Sequence, residues 1–313
     1  MLGASDRSGV IRGDDVENRA AGYVIAGTEI AARPLEPALY LVATPIGNLA
    51  DITLRALETL AACDVLACED TRVTRVLLDR YGIRQKPVAY HEHNAAEAGP
   101  RLIAALEEGR SVALVSDAGT PLVSDPGYRL VEAARAAGIR IVPVPGASAV
   151  LAALTASGLP SDAFLFAGFL PVKDGARRTR LEALKAVPAT LVFFESPRRL
   201  ADSLAAMAEV LGGRSAAVGR ELTKAFEEFR TGTLPELAAH YDAAGAPKGE
   251  VVVCIGPPAA AEADAEDIDR LLLSLAAEMP ASKAAGEAAR MTGAKKPELY
   301  RRLLALKAAR DAS

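Results

Sequence analysis

Short apolar runs that end on polar, glycine or proline clusters, each followed by a stretch with helical periodicity, constrain this chain more than any other feature of its sequence. Residues 38–43 run into Thr44-Pro45-Ile46-Gly47-Asn48, residues 65–68 into Glu69-Asp70-Thr71-Arg72, and residues 87–90 into His91-Glu92-His93-Asn94. Residues 112–115 and 139–142 repeat the pattern, the last running into Pro145-Gly146-Ala147-Ser148. Strands that alternate with helices and carry polar groups at their ends predict a mostly parallel sheet covered on both faces. Asp51 is placed to cap the first helix, whose Leu54, Leu57 and Leu60 share a face. Asn94 and Glu97 form a capping-box pattern for the helix that ends near Glu108.

The longest of the strand-to-helix loops, residues 116–127, reads Ser-Asp-Ala-Gly-Thr-Pro-Leu-Val-Ser-Asp-Pro-Gly. Its glycines allow close approach of backbone amides to a ligand, its prolines stiffen the path, and Asp117, Asp125 and the hydroxyl residues supply polar handles. In an open α/β sheet the crevice at the carboxyl ends of the strands is where ligands bind, so a ligand-lining role is expected here.

A second set of elements begins at residue 164. Residues 190–194 end in Glu195-Ser196-Pro197-Arg198-Arg199, residues 216–218 lead to Gly219-Arg220-Glu221-Leu222-Thr223-Lys224, a hairpin arm is expected around 227–231, and the last strand covers 250–255. The predicted organisation is a flexible extension over 1–37, α/β domains over 38–158 and 159–256, each a mostly parallel sheet flanked by helices, a linker rich in Ala, Glu and Asp over 257–267, and a helix-turn-helix-like appendage over 268–313. Whether the appendage binds RNA or only packs is open at this level.

A net charge of −4 over 313 residues requires any nucleic-acid contact to be regional. The densest basic stretch, residues 173–185 with Arg177, Arg178 and Arg180, reads either as a solvated helix face or as a mobile basic loop that grips phosphates. Three cysteines with no CxxC spacing read as buried thiols of a cytoplasmic protein, and no apolar run reaches the length of a membrane span. A P-loop is absent, as is a GxGxxG after the first strand. His91, Glu92 and His93 lack the further ligands that a metal centre needs, so no metal is expected. Glu69-Asp70-Thr71-Arg72 reads equally as an ion pair with a helix cap and as a substrate-orienting cluster, and so does Arg220-Glu221 with Lys224.

Six motifs taken together closely resemble the ribosomal RNA methyltransferase branch of the tetrapyrrole methylase superfamily. They are residues 43–49, 69–72, 116–127, 145–149, 194–198 and 220–224, in order across about residues 38–256. Where porphyrin methylases carry Gly-Asp-Pro in the long loop, this chain has Gly119-Thr120-Pro121, as the ribosomal RNA branch does. The resemblance implies two α/β domains with S-adenosylmethionine between them, a homodimer, and methyl transfer to the ribose 2′-hydroxyl of a cytidine in the decoding region of 16S ribosomal RNA in the small ribosomal subunit. It maps cofactor contacts onto Pro45, Asp117, Gly119, Thr120, Pro121, Val123, Ser148 and Ala149, with Phe194 and Leu222 from the second domain.

Strand-end placement makes Asp70 or Glu221 the candidate base for the hydroxyl proton. Arg72, Arg198 and Lys224 would hold phosphate or ribose, with Arg177 and Arg178 as further substrate contacts. A tetrapyrrole methylase and a non-catalytic ribosome-binding factor are the competing expectations.

Overall fold

The computed structural model describes residues 21–124, 127–258, 265–292 and 294–311. The expected flexibility of residues 1–20, and most of the linker, lie outside the described residues. The chain divides into two compact units after Ala149.

The first unit opens with β1 (Gly22–Ile25) and β2 (Thr28–Ala31), an antiparallel hairpin. This corrects the expectation of a flexible extension up to residue 37. Ala26 and Gly27 both take positive φ, 49° and 80°, as a two-residue hairpin loop requires. Tyr23 is buried in the core beside α1, and the Val24 amide donates to the Tyr81 carbonyl at 2.7 Å.

There follow β3 (Leu39–Val42), α1 (Leu54–Ala62), β4 (Val65–Cys68), α2 (Thr71–Arg80), β5 (Val88–Ala89), α3 (Ala95–Glu107), β6 (Val112–Val115), α4 (Tyr128–Ala136) and β7 (Ile141–Val144). The strands form a wholly parallel sheet in the order β5-β4-β6-β3-β7. Alternate residues serve opposite faces. Tyr40, Val42, Leu66 and Val115 pack with Leu57 and Leu60 of α1 and Leu77 and Leu78 of α2, whereas Leu39, Ala67 and Leu114 pack with Leu102 and Leu106 of α3 and Leu130 of α4. Burial of each such leucine stabilises the fold by about 1.5–3 kcal/mol.

Two caps differ from expectation. Thr53 caps α1 by accepting from the Ala56 amide, while Asp51 lies in a 3₁₀ turn capped by Asn48. Asn94 makes no capping bond to α3, because its side chain closes the preceding turn instead.

Helix α5 (Ala149–Ala156) leads into the second unit, with β8 (Phe164–Phe169), α6 (Asp174–Leu184), β9 (Thr190–Glu195), α7 (Leu200–Leu211), β10 (Ser215–Arg220), β11 (Glu228–Thr233), α8 (Leu234–Ala244) and β12 (Val251–Ile255). The sheet order is β11-β10-β12-β9-β8. Only β8 and β9 pair in parallel; the other neighbours are antiparallel, so the expectation of a mostly parallel second sheet is corrected. The turn from β10 to β11 is too short for the crossover that a parallel pair needs. Helices α6, α7 and α8 cover one face through Leu181, Leu204, Met207 and Leu237. The last helices, α9 (Ala265–Glu278), α10 (Ala281–Thr292) and α11 (Lys296–Asp311), surround their own core of Leu272, Ala284, Ala285, Ala288, Leu299 and Leu303.

Candidate active site

In the first unit the sheet register, carried two residues beyond the last paired positions, lines up one residue from each strand end. Cys68 pairs with Ala89 and Val115, and Val42 with Val115 and Val144. Two residues past these positions stand His91, Asp70, Asp117, Thr44 and Gly146, a row of residues in chain terms at the carboxyl ends of the five strands. The row is tied together directly: the Asp70 amide donates to Asp117 Oδ1 at 2.9 Å.

The long loop folds back on this row. Thr44 and Gly119 exchange backbone bonds of 2.8 and 3.0 Å, and the buried Thr44 hydroxyl donates to the Ser116 carbonyl at 3.2 Å. Gly119 sits at φ +80°, and a Cβ there would stand 3.2 Å from Ile46 Cγ2. A Cβ on Gly146 would stand 3.0 Å from Ala43 Cβ. These glycines keep the strand ends low, and the result is a backbone-lined cradle. Pro45 and Pro121 are buried in its wall, Val123 is half-buried, and Thr120 Oγ1 reaches the Ala147 carbonyl at 3.4 Å. Ser148 and Ala149, at the start of α5, are also half-buried. Leu122 and Ser124 hold left-handed φ values of 70° and 66°, a strain of about 1 kcal/mol or more each that collects where backbone shape serves a ligand. Asp125 and Pro126 lie outside the described residues.

Asp70 caps α2 by accepting from the Arg72 amide at 2.8 Å, and Arg72 Nη2 grips its other oxygen at 2.6 Å. The Arg72 guanidinium and amide hold the Asp70 carboxyl down at about 2. Asp70 is therefore a strong hydrogen-bond acceptor and a weak proton acceptor. Beside it, the Asn94 side chain fastens the His91 turn to the Ala89 carbonyl at 2.9 Å. His91 Nδ1 is buried with no hydrogen-bond partner among the described residues. Among the described residues no cluster of His, Cys, Asp and Glu is arranged to hold a metal ion.

In the second unit Glu221, Leu222 and Thr223 form a strained turn after β10, with φ of 51° at Glu221 and 67° at Thr223. Leu222 is buried. Lys224 Nζ bridges Glu221 Oε1 at 2.8 Å and Glu250 Oε2 at 2.9 Å. The Lys224 ammonium holds the Glu221 carboxyl below its usual range. Burial works against charge on Lys224, but its two carboxylate partners outweigh it and raise its pKa. Sequence reasoning missed Gly249, at φ +93°, where a Cβ would meet Glu221 Cδ at 2.2 Å. Its Lys-Gly-Glu setting before an apolar strand was the available signal. Phe194 carries an aromatic cluster, with Phe166 and Phe169 at 4.8 and 5.7 Å.

The basic stretch is a helix, not a mobile loop. Arg177 is buried against Asp174 at 2.8 Å, and Arg178 is held by Asp174 and Glu209. Those two guanidiniums are occupied within the fold, whereas Arg180 and Arg198 are exposed.

A parallel α/β unit with a glycine-lined cradle at the carboxyl edge, followed by a largely antiparallel unit, is the architecture of a methylase. Residues 38–238 match the family model for tetrapyrrole (corrin/porphyrin) methylases, and the chain belongs to that family. Residues 262–307 match the model for the RsmI C-terminal HTH domain. The chain is 78% identical over 285 residues to ribosomal RNA small subunit methyltransferase I of Mesorhizobium japonicum, which covers 91% of this chain and 97% of that protein. Uroporphyrin-III-C-methyltransferase from Thermus thermophilus has a TM-score of 0.51 at 26% identity, over 70% of this chain and 94% of its own. A uroporphyrin-III C-methyl transferase from Thermus thermophilus complexed with S-adenyl homocysteine has a TM-score of 0.50 at 21% identity over 70% of this chain and 97% of its own, a likeness of fold.

Proposed function

We propose that this protein is a cytoplasmic, homodimeric S-adenosylmethionine-dependent methyltransferase of 16S ribosomal RNA that methylates the 2′-hydroxyl of a cytidine ribose in the decoding region. The observation that carries the reading is the 78% identity to a ribosomal RNA small subunit methyltransferase, sustained over nearly the whole of both chains.

The cradle fits the cofactor. Gly119 and Gly146 let the loops pack closely on Ile46 and Ala43, so that backbone lies at the cradle's surface, while Asp117, Thr120 and Ser148 bring polar groups to its rim and Pro45, Pro121, Val123 and Ala149 form its walls. Bound S-adenosylmethionine supplies a methyl group already activated on a sulfonium. The chain's task is to align the hydroxyl, exclude water and accept a proton. Asp70 in the first unit and Glu221 in the second are each depressed by a cationic neighbour, so each is suited to orient a hydroxyl by hydrogen bonding and offers only modest base strength. Arg72, Lys224 and Arg198 supply positive charge for ribose and phosphate. Arg177 and Arg178 are not carried forward as substrate contacts, because Asp174 and Glu209 occupy them.

The test is transfer of labelled methyl from S-adenosylmethionine to small ribosomal subunits from cells lacking the endogenous activity, with nucleoside mass spectrometry of the product. The expected product is a 2′-O-methylated cytidine. Label on a base, on a tetrapyrrole or on protein instead would overturn the assignment. If Asp70→Asn and Glu221→Gln both kept full turnover, neither carboxylate would have the orienting role.

A further inference from the structure

The charge of this chain is unevenly spread. The molecule carries a net −4, yet residues 71–87 hold Arg72, Arg75, Arg80, Arg84 and Lys86 against a single acid, Asp79. All six side chains belong to exposed residues. On α2 the helical period places Arg72, Arg75, Val76, Asp79 and Arg80 on one outward face, because Thr74, Leu77 and Leu78 turn into the core. Val73 and Val76 are 44% and 59% exposed on the same helix, so apolar surface lies between the cations.

Beyond α2 the chain enters a groove of about 760 Å³. Arg75, Arg84, Gln85 and Lys86 line it on one side, and Val24 and Glu29 of the N-terminal hairpin on the other. The groove is held in shape from beneath. Gln85 Nε2 donates to the Cys63 carbonyl at 2.7 Å and to the Ala61 carbonyl at 3.3 Å, which fastens this segment to the end of α1. Arg75 Nη1 donates to the Gln85 carbonyl at 3.1 Å. The bond from Val24 to Tyr81 ties the opposite wall to the end of α2.

We propose that the outward face of α2 and this groove form a track for an RNA phosphodiester backbone, leading from the strand-end row at Asp70 to the N-terminal hairpin. The proposal rests on the reading of ribosomal RNA as substrate. Four cations (Arg75, Arg80, Arg84 and Lys86) outnumber Glu29 and Asp79 along the track, and Arg72 joins it to the site. Such an array is poorly matched to a single small anion. It suits a chain of regularly spaced charges whose counterions are released on binding, with ribose faces against Val73 and Val76.

The test uses the full chain with Arg75→Glu, Arg84→Glu and Lys86→Glu combined, and Arg72 left intact. Binding of a decoding-region RNA fragment and of small ribosomal subunits is measured across a salt series, with S-adenosylmethionine affinity and methyl transfer followed in parallel. The expected result is a dissociation constant raised at least about tenfold and a salt slope reduced by about two, since each lost phosphate contact removes roughly 0.7–0.9. KM for RNA should rise while kcat and S-adenosylmethionine affinity stay within about twofold of wild type, as for contacts that act in binding alone. A companion triple with Gln at the same positions guards against charge-induced misfolding and should show the same trend.

Unchanged affinity and slope would overturn the track. So would an equal loss from reversing Arg101, Arg110 and Arg135, which belong to the opposite side of the sheet. If the wild-type protein transfers no methyl to ribosomal RNA, the functional reading fails whatever the variants do. If it transfers methyl and the triple is indifferent, only the track fails.

Discussion

Replacing Gly249 by alanine tests how the Glu221 turn is held. The residue has φ +93°, where an L side chain costs about 1–2 kcal/mol. The new Cβ would stand 2.2 Å from Glu221 Cδ and 2.3 Å from Oε1, so the carboxylate must leave. With it go its bonds from Lys224 Nζ at 2.8 Å and from the Glu250 amide at 3.0 Å, about 1 kcal/mol each. The expected loss is about 3–4 kcal/mol, which lowers the melting temperature by roughly 6–16 °C for a domain of this size. Calorimetry on Gly249→Ala, Glu221→Ala and the double variant separates the two parts. With Glu221 already truncated, Gly249→Ala should cost only the backbone share, leaving a coupling of about 2 kcal/mol. An equal penalty in both backgrounds would refute the clash and leave conformational strain as the whole effect.

Two further outcomes follow from the ion pairs. The Asp70 carboxyl, held at about 2 by Arg72, ionises more readily folded than unfolded, so its contribution is complete above the ordinary carboxylate range and is lost as pH falls through about 2. Asparagine caps a helix about as well as aspartate, so the difference in denaturation midpoint between wild type and Asp70→Asn should shrink steadily from pH 5 towards pH 2. Glu195 is fully buried, with Arg199 and the Ser203 hydroxyl on its oxygens. Arg199→Met should therefore cost about 3–5 kcal/mol in urea unfolding, and adding Glu195→Leu should recover much of it.

The parts of the fold legible in the sequence were those where one physical rule acts alone. In the first unit each apolar run meets a helix before the next run, which forces parallel pairing, and the polar clusters at the run ends mark the ligand edge. The second unit misled because β12, Val-Val-Val-Cys-Ile, is buried along its whole length and so looks like a parallel strand, although its neighbours β10 and β9 are antiparallel. The hairpin at 22–31 was missed because its loop is Ala26-Gly27, without the asparagine or aspartate that advertises such turns. Arg177 and Arg178 read as substrate contacts in the sequence, but Asp174 stands three and four residues before them, the spacing of helical ion pairs. Glu221, Leu222 and Lys224 were visible as a motif. That Gly249 makes room for the first of them depends on a contact 28 residues distant, which no local pattern carries.

The placement of β3 has a consequence for how the chain must be made. It is the first strand of the parallel sheet to leave the ribosome, yet its partners are β6 and β7, pairing Leu39 with Val112 and with Ile141. Synthesis proceeds at about 5–20 residues per second, so both edges of this apolar strand wait several seconds for their partners. During that interval α1, which contacts β3 locally, and the hairpin and α2, which share its core, are available to shield one face of the strand. Slowing translation between α2 and β7 should therefore raise aggregation of the nascent protein more than the same delay placed after β8.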